Sequence, residues 1–317
     1  MLQCCGSRSL PKSVIITDST FSPQSHRQPQ EQHMNVGVIG LGAMGEPMAR
    51  HLHQLGLLAV VGNRTQAKAD HLAAELGVRA AHVANEFAGC DIVVLCVSMD
   101  SDVLENVATL TAVLREGAVV VDHSTVSVDS ARTAAAQLAA YGIGFLDAPV
   151  SGGVEGARNG KLSVMVGGTQ TNIDKAMVAL QCYAARITLM GDSGAGQATK
   201  AVNQILVAGI NEAVCEGLAL GERLGLDPAR LLPTLAAGAA GNWFLDKRGA
   251  TMLRNEFVPG FKCAHLLKDL RIVHGMAHAA GTSTAVIDQA LADYAALVDA
   301  GHGDADTSAL ILRKRVR

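Results

Sequence analysis

The sequence predicts an α/β fold, a doubly wound and mostly parallel sheet, followed by an all-α C-terminal domain. Short apolar segments alternate with helical stretches up to residue 190, a pattern typical of a parallel sheet with helices on both faces. Beyond that point the strand pattern stops. A chain of 317 residues with 49% hydrophobic content can bury one large core or two moderate ones, and we expect two domains. We expect strands at residues 36–39, 58–61, 92–97, 118–122, 144–148, 163–166 and 187–189.

A glycine-rich segment, residues 191–196, marks the predicted domain boundary. The next segment, residues 197–224, lacks proline and is followed by Gly225 and by Asp227-Pro228, which predicts one long helix and its end. The predicted domains are residues 34–195, which contain the strands, and residues 196–317, which are helical. Further helices are expected at residues 228–237, 262–280 and 283–300.

Residues 1–33 precede the first predicted strand and are rich in Ser, Gln and Pro. We expect either a disordered extension or a stretch upstream of a functional start at Met34, in a cytoplasmic protein. Because acidic residues are few there, a transit peptide is the alternative, and it would place the protein in the mitochondrial matrix. The seven cysteines lack metal-ligand spacing, so we expect reduced thiols and no metal site.

Charge and hydropathy exclude two classes of partner. The net charge of −3 and the 17% of charged residues provide no large field of one sign, so we expect neither nucleic acid nor a membrane surface as a partner. No charge-free apolar stretch reaches the roughly 18 residues of a membrane span. The basic C-terminal residues Arg313, Lys314, Arg315 and Arg317 are expected to form a solvated end.

The turn after the first strand is rich in glycine. It reads Gly40-Leu41-Gly42-Ala43-Met44-Gly45. Gly40 permits a tight turn, Gly42 lets the backbone approach a pyrophosphate, and Gly45 lets the next helix pack closely on the strand. The apolar face of that helix and the preceding strand are the context that a dinucleotide-binding turn requires, so we predict dinucleotide binding.

The residues at the end of the second strand indicate which cofactor is bound, NAD or NADP. Residues 62–65 read Gly-Asn-Arg-Thr, without the carboxylate that NAD-selective domains usually present to the ribose. Arg64 can instead pair with a 2′-phosphate, with Asn63 and Thr65 donating hydrogen bonds and Lys68 adding charge. NADP is therefore the expected cofactor. The alternative is that Arg64 is only a solvated loop residue, in which case NAD can still bind.

The predicted long helix carries a polar stripe. At 100° per residue, Lys200, Asn203, Gln204 and Asn211 lie on one narrow face of an otherwise apolar helix. The stripe could face water. Because this helix leads from the first domain into the second, we expect the stripe to line the cleft between them.

Five motifs in this order resemble the β-hydroxyacid dehydrogenase family, which includes 3-hydroxyisobutyrate dehydrogenase, tartronate semialdehyde reductase and the glyoxylate/succinic semialdehyde reductases. The resemblance covers residues 34–310. It implies a Rossmann domain with an all-α domain of the 6-phosphogluconate dehydrogenase type, and an NADP-preferring oxidoreductase that interconverts a small β-hydroxy acid and its semialdehyde. A small carboxylate substrate and a homodimer or homotetramer are implied as well. The motifs are the glycine-rich turn at 40–45 and residues 122–125, 147–153, 194–204 and 268–270.

The resemblance also implies roles for single residues. Lys200 is the catalytic acid/base, and Asn203 helps to hold both Lys200 and the substrate. A lysine that is partly desolvated beside a cationic nicotinamide has a lowered pKa, so it can accept a proton from an alcohol. The implied substrate contacts are Ser124, Ser151, Gly152 and Gly153. The implied cofactor contacts outside the first two loops are Val97 and Ser98, which stand where many relatives have Leu-Pro, together with Thr125 and Lys268.

Three alternatives remain open in the sequence. Ser124 could cap the following helix, a role that is compatible with its substrate contact. Trp243 either forms a wall of the substrate pocket or packs in the helical domain. For the whole protein, an imine reductase or a noncatalytic NADP-binding scaffold is the alternative. Because such proteins generally lack the lysine, Lys200 argues against both.

Overall fold

The computed structural model describes residues 34–315, so the predictions for residues 1–33 and for Arg317 lie outside the described part of the chain. Within it, nine strands form one sheet. They are β1 (Val36–Ile39), β2 (Leu58–Gly62), β3 (Arg79–Ala80), β4 (Ile92–Leu95), β5 (Val119–Asp122), β6 (Gly144–Asp147), β7 (Val150–Ser151), β8 (Leu162–Gly167) and β9 (Ala184–Gly191).

The helices follow the expected order, with the strands interleaved in the first part of the chain. The first six are α1 (Gly45–Gln54), α2 (Gln66–Leu76), α3 (Asp100–Thr111), α4 (Val128–Ala139), α5 (Gly153–Arg158) and α6 (Gln170–Leu180). The later ones are α7 (Ala195–Arg223), α8 (Pro228–Ala236), α9 (Trp243–Leu253), α10 (Cys263–Ala279), α11 (Ala285–Leu297) and α12 (Ile311–Lys314).

The sheet is mostly parallel, and its central strands are buried on both faces. The strand order is β3-β2-β1-β4-β5-β6-β8-β7, with β9 parallel to β8. In β4, Ile92 and Val94 belong to one buried core with residues of α1, α2 and α6, whereas Val93 and Leu95 belong to another with residues of α3 and α4. Side chains that alternate between two covered faces produce this continuous apolar run, which confirms the doubly wound prediction.

The predicted strand list lacked two short strands. β3 and β7 contain two residues each and show no alternation of their own, so only pairing with β2 and β8 defines them. β8 runs antiparallel to both β6 and β7. The chain therefore reverses direction after β6, and β8 lies next to α7.

The C-terminal part of the described chain is helical, as expected. α7 is 29 residues long, and its buried residues form a second core with α9, α10 and α11. α9 was not predicted, because its first residues follow a run of Gly and Ala that resembles a loop. None of the helices in residues 34–315 is both long enough and apolar enough to cross a membrane.

The prediction of a solvated basic end was wrong for Lys314 and Arg315, whereas Arg313 is exposed as expected. Lys314 forms ion pairs with Glu212 of α7 and Asp293 of α11, and its side chain is only 11% exposed. Arg315 pairs with Glu222 at 2.6 Å. The acidic partners lie on helices distant in sequence, so tertiary packing draws the basic residues onto the surface of the helical core.

Candidate active site

The glycine-rich turn has the geometry that close approach to a ligand requires. Gly40 has a φ of 98°, and a Cβ atom there would lie 2.2 Å from the carbonyl oxygen of Cys96. A Cβ atom on Gly45 would lie 1.9 Å from the carbonyl oxygen of Gly40, so α1 can begin here only with glycine. Among the residues that the structure describes, none lies within 4 Å of a Cβ atom on Gly42, and no side chain caps the N-terminus of α1. The residues present therefore fit a dinucleotide pyrophosphate.

Seven of the expected cofactor contacts, together with Lys68, line a groove of about 530 Å³ beside this turn. Arg64 belongs to the groove lining with a side chain that is 87% exposed, and it forms an ion pair with Asp102 at 3.6 Å. The groove brings together Gly40, Gly42, Asn63, Arg64, Thr65, Lys68, Val97 and Ser98. Ala43 and Met44 belong to the same turn, at the start of α1.

Asn63 joins the two loops of this groove. Its side-chain oxygen accepts a hydrogen bond from the backbone N–H of Leu41 at 2.9 Å, and its amide group donates to the carbonyl of Thr65 at 3.0 Å. The side chain of Leu41 is itself buried in the sheet core. The described contacts of Asn63 are thus within the protein, and its expected contact with cofactor stays a prediction.

Ser124 does not cap the helix that follows it. The Oγ of Ser127 accepts the cap hydrogen bond from the backbone N–H of Ser130, so that alternative was wrong. The Oγ of Ser124 instead accepts from the N–H of Val97 at 2.9 Å, and its side chain is buried. Ser124 therefore connects the loops that follow β5 and β4.

Lys200 lies one turn inside α7 and is almost completely buried, with 8% of its surface exposed. Its Nζ donates a hydrogen bond to the carbonyl of Val150 at 2.8 Å. Burial lowers the pKa of Lys200 to about 8; Asp269 opposes this shift, and Lys268 adds to it. An amine with this pKa exchanges a proton readily near neutral pH.

The loop after β6 approaches Lys200 from the sheet side. Gly152 and Gly153 have φ values of 126° and 60°, which favour glycine and turn the chain sharply after Ser151. The hydroxyl of Ser151 points to the side-chain oxygen of Asn203 at 3.4 Å. The structure thus brings Lys200, Asn203 and the Ser151–Gly153 loop together, as the sequence predicted.

A chain of polar contacts connects Asn203 to the cofactor loops. The Asn203 amide donates to Gln204 at 2.8 Å, and Gln204 donates to Asp269 at 2.7 Å. Asp269 pairs at 2.9 Å with Lys268, whose Nζ also donates to the carbonyls of Thr125 and Ser98. Lys268 therefore reaches the loops after β4 and β5, and Thr125 takes part through its backbone.

The polar stripe on α7 is only partly a cleft feature. Lys200 and Gln204 are buried toward the sheet domain and α10, but Asn211 donates to the hydroxyl of Tyr294 inside the helical core. The prediction that Asn211 lines the cleft was therefore wrong, because this end of the stripe lies beneath α11. The opposite face exposes the apolar side chains of Val202, Leu206 and Ile210.

Two family models together match nearly all described residues. Residues 35–191 match the NAD-binding domain of 6-phosphogluconate dehydrogenase, and residues 194–313 match the NAD-binding domain of NADP-dependent 3-hydroxyisobutyrate dehydrogenase. The Escherichia coli 2-hydroxy-3-oxopropionate reductase is 36% identical over 75% of this chain and 82% of its own length. The chain belongs to the 3-hydroxyisobutyrate dehydrogenase family.

Further members of the 3-hydroxyisobutyrate dehydrogenase family match over almost the whole length. The probable mitochondrial 3-hydroxyisobutyrate dehydrogenase-like protein 1 of Arabidopsis thaliana is 36% identical and covers 96% of this chain and 90% of its own. Among solved structures, the Mycobacterium tuberculosis 3-hydroxyisobutyrate dehydrogenase with L-serine gives a TM-score of 0.82 at 31% identity, covering 90% of this chain and 100% of that one. The protein is thus an oxidoreductase with an NAD(P)-binding Rossmann domain.

Gln197 is a residue of this family member that sequence reasoning did not single out. It is buried, its amide donates to the carbonyl of Ser124 at 2.8 Å, and its side-chain oxygen accepts from the N–H of Val126 at 3.2 Å. It therefore fixes the Ser124–Val126 loop to α7. Its position three residues before Lys200, on the same helical face, was the available signal.

Trp243 opens α9 and is 55% exposed, so it does not pack in the helical core, whereas the adjacent Phe244 does. The Arg248 guanidinium lies 5.3 Å from the centre of the Trp243 ring. The role of Trp243 as a wall of the substrate pocket stays a prediction for this member of the 3-hydroxyisobutyrate dehydrogenase family.

Proposed function

We propose that the protein is an NADP-preferring reductase and dehydrogenase that interconverts a small β-hydroxy acid and its semialdehyde, with Lys200 as the acid/base. A buried lysine with a pKa of about 8, held beside the Ser151–Gly153 loop, carries this proposal. The family membership supports the reaction class. The glycine-rich turn and the Arg64 loop support the cofactor.

The residues divide the chemistry among them. A bound nicotinamide supplies the hydride in reduction and accepts it in oxidation. Protonated Lys200 donates a hydrogen bond to the aldehyde oxygen and then its proton to the alkoxide; neutral Lys200 takes the hydroxyl proton in the reverse direction. Asn203 holds the substrate beside Lys200. Ser124, Ser151 and the backbone of Gly152 and Gly153 bind the carboxylate.

Two relatives guide the choice of substrate. One is named 2-hydroxy-3-oxopropionate reductase, and the solved structure of another contains L-serine. Both ligands are small three-carbon acids with a polar group on the β-carbon. A useful panel therefore contains tartronate, succinic and methylmalonate semialdehydes, glyoxylate, 3-hydroxyisobutyrate and L-serine.

The test follows NADPH absorbance with each member of the panel, for the wild-type protein and for Lys200→Ala. We expect turnover with at least one aldehyde and a loss of about 10²- to 10⁴-fold in the variant, the range for general acid catalysis. Lys175→Ala is the matched control. Lys175 lies on α6, and its Nζ donates a hydrogen bond to the carbonyl of Gly117.

Two results would contradict the proposal. Turnover that survives in Lys200→Ala would remove the lysine from the chemistry. No turnover with any substrate, despite NADPH binding, would favour the imine reductase or the noncatalytic scaffold, and cyclic imines would then replace the panel.

We also propose that the protein is a homo-oligomer through α7. The apolar side chains of Val202, Leu206 and Ile210 are exposed on its outer face. A groove of about 630 Å³ lies between α7 and α11 and is lined by Gly209, Leu220 and Val286 among others. A second copy would bury these side chains. Light scattering of wild type and Leu206→Glu tests this, with a smaller mass expected for the variant.

Cellular location stays a proposal of the same kind. We propose the cytoplasm, with the mitochondrial matrix as the alternative because the Arabidopsis relative is named mitochondrial. Imaging of the full chain fused to a C-terminal fluorescent protein separates the two, and a matching fusion that begins at Met34 shows whether residues 1–33 direct import.

A further inference from the structure

We propose that Asp147 is a positioning residue for Lys200, because its carboxylate fixes the start of α7 against the end of β6. The inference rests on the proposed function where turnover is measured. It does not require Asp147 to touch substrate or cofactor.

Both carboxylate oxygens of Asp147 bond to the first turn of α7. Oδ1 accepts from the backbone N–H of Gly194 at 2.7 Å, and Oδ2 accepts from the N–H of Gln197 at 2.9 Å. Asp147 itself is completely buried. Gly194 cannot cap α7 because it has no side chain, so the carboxylate from the sheet acts as the cap.

The contact of Asp147 is the first of three between the same two segments. The carbonyl of Val150 accepts from Lys200, and Ser151 faces Asn203. The partners on α7 advance by three residues at each step, which keeps them on one helical face. Movement of α7 relative to Asp147 would therefore displace Lys200 and Asn203 from the substrate loop together.

Glycines make this packing close and leave little room for a shift. A Cβ atom on Gly196 would lie 2.4 Å from the carbonyl oxygen of Asp147 and 2.5 Å from that of Met165. A Cβ atom on Gly167 would lie 2.4 Å from Oδ1 of Asp147. The carboxylate is thus enclosed between β8 and α7, in one position.

Asp147 acts on Lys200 through position rather than through charge. Burial raises the pKa of Asp147, and the N–H groups of Gly194 and Gln197 oppose that rise. The charged residues that shift the pKa of Lys200 are Asp269 and Lys268, while burial is the largest cause. If α7 loosens, water reaches Lys200 and its pKa should rise toward 10.5.

The experiment compares Asp147→Asn with wild type. The variant is isosteric but turns one amide N–H toward a backbone N–H, so it breaks one of the two contacts. We expect kcat to fall about 10- to 100-fold, as for a small misplacement of a catalytic group. The Kd for NADPH should stay within about twofold, because Asp147 is outside the cofactor groove.

The second readout is the titration of Lys200, followed by NMR of lysine labelled at Cε and assigned with Lys200→Arg. In Asp147→Asn we expect the pKa of Lys200 to rise, whereas a loss of global stability alone would not move it. Asp227→Asn is the control for loss of a carboxylate cap, because Asp227 is the N-cap residue of α8, where its side chain accepts from the N–H of Ala229. Its kcat and its Lys200 titration should equal those of wild type.

An unchanged Lys200 titration in a folded Asp147→Asn protein would overturn the inference, whether or not kcat falls. If wild type shows no turnover, the proposed function fails and the titration still decides the role of Asp147. If Asp147→Asn does not fold, Gly194→Ala perturbs the same contact from α7, because Gly194 has a φ of 96° that alanine tolerates poorly. The same rise in the pKa of Lys200 is expected there.

Discussion

Lys268 donates a hydrogen bond to the backbone carbonyl of Thr125 at 2.6 Å and thereby joins α10 to the loop that follows β5. The same Nζ reaches the carbonyl of Ser98 at 3.2 Å and the carboxylate of Asp269 at 2.9 Å. One ammonium group of the helical domain thus holds two loops at the cofactor edge of the sheet. Loss of this group should change cofactor binding before it changes the fold.

Lys268→Ala should weaken binding of NADPH by about 10-fold or more, because a hydrogen bond with a charged group contributes about 1.5–3 kcal/mol. Titration of the nicotinamide fluorescence measures the Kd. Lys262→Ala is the control at the N-cap position of α10, because Lys262 pairs with Asp304, whose side chain is 90% exposed. Equal Kd values for Lys268→Ala and wild type would show that the hydrogen bonds from Lys268 to Thr125 and Ser98 do not organise the cofactor loops.

The rates of the two directions should depend on pH in opposite ways. The pKa of Lys200 is about 8, so the protonated amine that reduction needs is lost as pH rises through 8, and the neutral amine that oxidation needs is gained. Asp269 raises this pKa, so Asp269→Asn should move both midpoints to lower pH. Profiles of kcat against pH in each direction test this, and a midpoint that stays or moves upward contradicts it.

Asp122 should lower stability at neutral pH. Burial raises its pKa to about 7 from 3.8, hydrogen bonds from Ser124 oppose the rise, and Asp147 adds to it. The Oδ2 of Asp122 accepts no hydrogen bond from the described residues. Between about pH 4 and 7 the folded state therefore binds more protons than the unfolded state, so the free energy of unfolding falls as pH rises.

Asp122→Asn should remove this dependence. The variant is expected to be more stable than wild type above pH 7, by up to about 4 kcal/mol for a shift of this size, with little difference near pH 4. Urea unfolding at several pH values measures it. Asp293→Asn is the contrast: burial alone would raise the pKa of Asp293, but hydrogen bonds from Lys314 and Gln289 lower it overall, so this variant should lose stability at pH 7.

Arg64 should determine the preference for NADPH over NADH. Its side chain is 87% exposed and, among residues 34–315, forms a long ion pair with Asp102 alone, so it can turn toward a 2′-phosphate. Arg64→Ala should weaken NADPH binding about 10- to 100-fold and leave NADH binding unchanged. Lys68→Ala should have a smaller effect. Equal losses for both cofactors would mean that Arg64 does not read the phosphate.

The sequence by itself determined most of the order of strands and helices and the glycine-rich turn, and it singled out Lys200 as the proposed acid/base. These features depend on local spacing: apolar segments between turns, glycines at fixed separations, and polar residues at helical intervals on α7. They can be recognised without knowing which distant residues pack together.

Only the tertiary structure decided which partners complete the site. The cap that Asp147 provides for α7, the burial that lowers the pKa of Lys200, and the ion pairs of Lys314 and Arg315 join residues that lie far apart in sequence. Ser127 rather than Ser124 caps α4 for a similar reason, because the hydroxyl of Ser124 accepts its hydrogen bond from Val97. Hydrogen bonds and burial depend on distances in space, and no local pattern in the sequence records them.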